Sequence, residues 1–323
     1  MDLTLFGLAL WAFFLLVTGY FLAFSKSKLW ARLLGWSLAI LTTFFSVWAT
    51  EGQTALFRMF AIVVLQLIAM KIIVLIEERF GKSNLNFMQW SAFSLGWFGM
   101  RPAIFEDFPS KPLTGILPIL GKALPRILVG LLLLYISKWI ENQGVASFFP
   151  KNLLALVGLS FILHFGILNL TTAFWRLFGV DARELFRAPY LSKSLQEFWG
   201  KRWNLAFSEM TALVAYRPLK NILGSNLAMI LSFLLSGILH EIAISGPVNA
   251  GFGLPFCYFV LHAAAMFLER EIDWIKKIIA HPILSRCWVF AWLILPMPLL
   301  FHQPFLQGVI LPLRDLMLSF LFS

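Results

Sequence analysis

Polarity along the chain alternates between long apolar runs and short polar loops, and the apolar runs are the length of a bilayer. A transmembrane helix needs about 20 predominantly apolar residues. On that measure spans are predicted near Leu3–Phe24, Leu29–Ala49, Thr54–Ile76, Ile116–Ile136, Leu153–Trp175, Ile222–Ile242, Phe252–Leu268 and Pro282–Leu300, with a shorter ninth from Val309 to Phe322. The pattern predicts an all-α polytopic membrane protein of about eight or nine transmembrane helices, organised as one membrane-embedded domain over residues 1–323. The first run is too long and too poorly flanked for a cleavable signal peptide, since no basic residue precedes it.

Composition agrees. Hydrophobic residues make up 60% of the chain and charged residues 13%, against about 45–50% and about 25% in soluble proteins. That excludes intrinsic disorder, collagen, coiled coil and a disulfide scaffold. The net charge of +10 would suggest nucleic acid in a soluble protein. Here it points to anionic headgroups or an anionic substrate, and no nucleic-acid partner is expected. Charge also orients the chain. Basic residues fall in alternate loops: Lys26, Lys28 and Arg32; Arg79 and Lys82; eight between Arg176 and Lys220; Lys276, Lys277 and Arg286. The N-terminus is then outside and the loop carrying residues 176–220 cytoplasmic. The compartment expected is the endoplasmic reticulum in a eukaryote or the cytoplasmic membrane in a bacterium.

Two stretches look interfacial: Phe87–Phe105, with Trp90 and Trp97, and Val180–Leu219. Within the second, Glu197–Met210 is predicted to be a helix. Trp199, Trp203, Ala206 and Met210 would share one face, with the aromatics at headgroup level.

Polar groups inside a membrane are costly, so each needs a reason. Ser232, Ser236 and His240 recur every fourth residue and fall on one helical stripe. They end in the string S-G-I-L-H-E, where Gly237 allows another backbone or a ligand to approach. By themselves they suit helix packing as well as chemistry. His164 and His262 suit the same packing role. No H-x-x-x-H or thiolate pair accompanies the histidines, so no metal is expected. Arg58 and Lys71 are read as snorkelling cations, and the sequon at Asn169 as chance. A second string, S-L-Q-E-F-W-G-K-R-W-N, runs from Ser194 to Asn204. An interfacial anchor accounts for its tryptophans and cations, but not for Gly200 and Asn204 in their midst.

F-W-G-K-R-W-N, followed by S-G-I-L-H-E with its His 36 residues after the Asn, resembles the membrane-bound O-acyltransferase superfamily, and within it the wax synthase-like branch. The stretch Tyr258–Glu269 is similar to that family's following helix. The resemblance covers about Thr171 to Arg270, with Lys201 where Arg is common, which keeps the charge but loses the planar fork. It implies acyl transfer from acyl-CoA to the hydroxyl of a lipophilic alcohol, wax ester synthesis above all, with no cofactor beyond acyl-CoA as co-substrate. It also implies His240 as the essential base and Asn204 as its partner. Trp199, Lys201, Arg202, Trp203, Ser232 and Ser236 are the candidate substrate-binding residues. The chemistry is sensible: an imidazole takes the alcohol's proton, and a fixed amide donor meets the oxyanion of the tetrahedral intermediate.

Those roles require Asn204 and His240 to meet in a buried chamber. Simple counting puts His240 about 27 Å along a helix from Ile222, on the far side from Asn204, so the segment before it must dip into the membrane. The nearest rival reading keeps the chemistry and changes the acceptor to a sterol or diacylglycerol. A different class, a transporter using His164, His240 and His262 as an ion path, lacks the inverted repeat such proteins carry. A noncatalytic scaffold would leave the polar stripe without a purpose.

Overall fold

The chain is described by a computed structural model over residues 2–144 and 148–322, and among these residues every regular element is a helix. Among the described residues six helical stretches are long and apolar enough to cross a membrane: Leu3–Leu22, Lys28–Ala49, Ala55–Arg79, Ile116–Asn142, Pro150–Leu177 and Leu205–Val248. A seventh is possible if the bent pair Asp273–Ala280 and Leu284–Leu300 is one broken span. The count is thus lower than the eight or nine predicted. The Leu254–Glu271 helix ends in Glu269, Arg270 and Glu271, which shortens its apolar run. The helical run through Leu306–Ile310 and Leu311–Phe322 is broken by Gln307, Arg314 and Asp315 and is not among the stretches apolar enough to cross.

Two compact units divide the chain. One takes the chain up to Glu106 and again from Arg187 to His302; the other takes Asp107–Phe186 and the chain from Gln303 on.

In the second unit, Ile116–Asn142 packs on the helices that follow it through a pair of glycines. A Cβ on Gly130 would come 2.7 Å from the Gly158 carbonyl oxygen, so only small residues permit this close crossing. Arg314 is fully buried there, donating to Ser137 Oγ at 3.1 Å and pairing with Asp315 at 2.8 Å and with Glu141. His164 lies in this unit, its ring 4.8 Å from that of Phe186. Asn169 of the sequon is buried and donates to Glu184 at 3.0 Å, so its amide is engaged inside the protein.

The first unit corrects two expectations. Lys71 does not snorkel. It is fully buried, and its ammonium donates to the carbonyls of Phe93 (2.6 Å), Ser94 and Trp97. Those carbonyls close the C-terminal end of the Phe87–Gly96 helix, where a cation complements the helix dipole. Trp90 and Trp97 are not at a headgroup belt either. Both are buried, and Trp90 Nε1 donates to the Leu16 carbonyl at 2.9 Å. The stretch that looked interfacial is a capped helix packed into the unit, its start held by a reciprocal Asn86–Gln89 capping box.

Candidate active site

The motif segment is not the single amphipathic helix that the i, i+4, i+7, i+11 spacing predicted. Leu195–Glu197 forms one turn, capped by Ser194 Oγ, which accepts from the Glu197 N–H at 3.0 Å. Phe198–Arg202 then widens into a π turn, closed by the Trp203 N–H donating to the Phe198 carbonyl at 2.8 Å. A π turn inserts a residue and rotates everything after it. At Asn204 the backbone turns left-handed, with φ 42°, a conformation asparagine tolerates better than most residues. Helix resumes at Leu205. The stripe Trp199–Trp203–Ala206–Met210 is therefore interrupted twice, and the tryptophans turn inward.

What holds this irregular segment comes from elsewhere in the chain. Glu269, on the Leu254–Glu271 helix, accepts from the Leu195 N–H (2.8 Å), the Gln196 N–H (3.2 Å) and Trp288 Nε1 (2.9 Å). A carboxylate at an incipient helix N-terminus is favoured by both the bonds and the dipole. Phe198 stacks on Trp203 at 5.4 Å between centroids. Beneath them Leu195, Phe198, Met229, Met266 and Val289 form a buried cluster.

The histidine is brought to this segment by a reversal at Gly224. Leu205–Val248 is one apolar stretch, but Gly224 sits in it at φ 80° and ψ 168°, backbone open only to glycine. Phe207 and His240 are 33 residues apart, and an unbroken helix would separate them by about 50 Å. Instead their ring centroids lie 5.1 Å apart. The obstacle raised by counting along a straight helix is removed by a fold-back at one glycine. Gly237 completes the approach: a Cβ there would lie 2.9 Å from the Phe256 ring, so its absence lets the next helix in. That helix places Phe259 4.2 Å from His240.

Together these elements line a cavity of about 190 Å³. Asn204 and His240 both line it, as do Trp199, Trp203, Ser232 and Ser236. Most of the remaining wall is apolar, including Phe207, Met229, Phe233, Phe259 and Met266. Lys201 and Arg202 are not on it. Arg202 donates to Glu197 at 2.7 Å and to the carbonyls of Arg187 and Ala188, both at 3.3 Å. It pins the incoming chain, while Lys201 stands exposed on the same turn. Partial burial pushes the Glu197 carboxyl up. The Lys193 N–H and the Arg202 guanidinium outweigh it and hold the group below the ordinary carboxylate range.

Hydrogen bonding fixes what the two central side chains can offer. His240 Nδ1 lies 2.7 Å from the Ser236 carbonyl oxygen. A carbonyl only accepts, so Nδ1 carries the proton and Nε2 keeps its lone pair. Asn204 Oδ1 accepts from the Phe207 N–H at 3.2 Å, which assigns the oxygen end of the amide to the helix cap and leaves its two N–H bonds as donors. The hydroxyls of Ser232 and Ser236 donate to carbonyls one turn back, at 2.7 and 3.0 Å, and retain only lone pairs. The site thus holds a base and an amide donor in an apolar chamber. Beside His240, Glu241 accepts from the N–H groups of Gly253 (2.8 Å) and Phe256 (3.0 Å), capping the helix that carries Phe259.

Sequence reasoning did not foresee the parts played by Phe207, Gly224 and Glu241. Glu269 closes the stretch Tyr258–Glu269, where no local pattern gives it a task. Glu241 and Glu269 stand inside strings that the sequence singles out, whereas Phe207 and Gly224 lie outside them and carry no local signal.

Residues 182–261, which carry Asn204 and His240, match the membrane bound O-acyl transferase family. A long-chain-alcohol O-fatty-acyltransferase of Simmondsia chinensis is 39% identical over 117 residues, 33% of this chain and 32% of that protein. A probable long-chain-alcohol O-fatty-acyltransferase 7 of Arabidopsis thaliana is 29% identical over 127 residues, 36% of this chain and 37% of that one. An acyl-CoA–sterol O-acyltransferase 1 of Arabidopsis thaliana is 44% identical over 64 residues, 18% of this chain and 19% of that one. The chain spans about a third of the length of the first two relatives. Through residues 182–261 the chain thus resembles the membrane bound O-acyl transferase family, and the relatives that share this stretch are long-chain-alcohol and sterol O-acyltransferases.

Proposed function

We propose that the protein transfers a fatty acyl group from acyl-CoA to the hydroxyl of a long-chain alcohol, making a wax ester. The observation that carries this reading is one cavity lined by both a histidine with a free Nε2 lone pair and an asparagine with free amide donors.

The chemistry follows from those two groups. An alcohol is a poor nucleophile at neutral pH. His240 Nε2 takes its proton as the oxygen attacks the thioester carbon, an effect worth about 10²–10⁴-fold. The carbonyl oxygen becomes an oxyanion, which the Asn204 amide stabilises by donation, worth about 10²–10³-fold. As the tetrahedral intermediate collapses, the C–S bond breaks and the ester forms. The departing thiolate recovers a proton from the histidinium. The Ser236 carbonyl keeps Nδ1 protonated throughout, so the ring shuttles a single proton at Nε2. Apolar walls exclude the water that would hydrolyse the thioester. The apolar wall suits the reactive ends of both lipid chains, and a cytosolic donor meets the basic residues Lys193, Lys201 and Arg202 on its way in.

Gas chromatography with mass spectrometry of neutral lipids from cells expressing the protein, fed long-chain alcohols or sterols, tests this. Wax esters should appear with wild-type protein and not with His240→Ala. Sterol esters in their place would move the acceptor to the class named in the sterol-acylating relative. No new ester with any acceptor overturns the reading.

A further inference from the structure

Gly200 is a glycine that the protein's own packing does not require. It lies in the π turn Phe198–Arg202 and is not among the glycines with positive φ. A Cβ built on it would meet no atom within 4 Å. In a helical turn alanine is the more favourable residue. Gly7, Gly121 and Gly246 are equally open, but Gly200 differs from them in lining the cavity. It is also exposed, so it stands where the chamber meets the outside. Lys201, exposed, follows it directly, with Arg202 beyond it already paired to Glu197, whereas the buried wall of the cavity includes Met229 and Met266. The mouth at Gly200 is therefore cationic outside and apolar within.

We propose that Gly200 is a size gate: the missing side chain leaves the passage through which the thioester arm of the acyl donor enters. This rests on the acyltransferase reading above. The chemistry of the mouth selects the donor over the acceptor. An acyl-CoA joins a polyanionic head to a long, thin, uncharged arm that ends in the thioester. The head cannot enter an apolar chamber and is held by cations at its rim, while the arm can pass if nothing projects from the turn. A neutral alcohol gains nothing from a cationic rim.

A graded series tests the gate: Gly200→Ala, Gly200→Val and Gly200→Leu, with Gly7→Leu as the control for a bulky residue at an open helical glycine. Two quantities are read for the donor, its KM and the Kd of a non-reactive thioether analogue of acyl-CoA, beside the KM of the alcohol. Both donor constants should rise together, about threefold for alanine and about thirtyfold or more for leucine, the scale of overfilling a fitted space. The alcohol KM should stay within about twofold, and Gly7→Leu should match wild type. The melting temperature should not fall in Gly200→Ala, since its Cβ meets no atom within 4 Å. Donor constants that stay flat through leucine overturn the gate while leaving the enzyme intact, and so does an alcohol KM that rises more than the donor's. A wild-type protein that neither binds the thioether nor forms ester overturns the acyltransferase reading, and the gate with it.

Discussion

His240 and His262 stand on neighbouring helices with the same local chemistry and different surroundings. Each places Nδ1 on the carbonyl one turn back, Ser236 at 2.7 Å and Tyr258 at 2.9 Å. Each is thereby fixed as the tautomer whose Nε2 is an acceptor. Each also touches the motif segment, His240 through Phe207 at 5.1 Å and His262 through Trp199 at 5.5 Å. The difference is what lies beyond Nε2. His240 lines the cavity. His262 is fully buried, and its Nε2 has no hydrogen-bond partner. A bond that sets the tautomer is thus common to both rings, and the chemistry comes from the opening in front of one of them.

The comparison is tested most severely at the ring itself. His240→Ala should lower turnover by about 10²–10⁴-fold, the range of a lost general base, while the protein still inserts and purifies. Turnover near wild type in a folded variant would break the assignment. The next largest effect belongs to Asn204, where two functions must be separated. Alanine would remove the amide, the cap and a residue suited to φ 42° all at once. Asn204→Asp keeps an oxygen for the Phe207 N–H and tolerates the left-handed backbone, but an ionised carboxylate cannot donate and repels an oxyanion. Activity should fall about 10²–10³-fold with an unchanged melting temperature. An active Asn204→Asp variant would reduce Asn204 to a helix cap.

These outcomes also show where the sequence was informative. The stripe Ser232–Ser236–His240 was visible because a regular helix preserves a four-residue spacing, and all three line the cavity. The same rule failed on Trp199, Trp203, Ala206 and Met210, because nothing in F-W-G-K-R-W-N announces a π turn or a left-handed Asn204. The fold-back rests on Gly224, one glycine in an apolar run where glycine is common in membrane helices anyway. Lys71 in an apolar stretch looks the same whether it snorkels or caps a buried helix end, and only the position of residues 93–97 decides. Glu269 acts on a residue 74 positions away, beyond any local pattern.

Glu269 gives the third test, because it holds the segment on which the comparison depends. Three N–H donors converge on its carboxylate. Glutamine offers one acceptor oxygen and turns an NH₂ toward the remaining donors. Bonds to a charged acceptor contribute about 1.5–3 kcal/mol each, and a small displacement of a catalytic group has large kinetic consequences. Glu269→Gln should lower kcat about tenfold through a misplaced Asn204, with a lower melting temperature. Wild-type kcat in Glu269→Ala would show that packing of Phe198 and Leu195 seats the segment without the carboxylate.

The smallest effect should be at His262, and for that reason it is the sharpest control. His262→Phe keeps a ring of similar size between Tyr258, 4.1 Å away, and Trp199. It loses the Nδ1–H bond to the Tyr258 carbonyl, a loss of about 0.5–1.5 kcal/mol. Against that, it removes a buried acceptor without a partner, whose desolvation costs about 1–3 kcal/mol. The two terms offset, so the melting temperature should hold or rise. Because Nε2 of His262 does not reach the cavity, kcat and both Michaelis constants should stay within about threefold, less than 1 kcal/mol. The paired variant His240→Phe makes the same chemical change one helix away and should be nearly inactive. If the two phenylalanine variants lose activity alike, the histidines work as a pair through Trp199 and Phe259, and the opening in front of His240 is not what sets it apart.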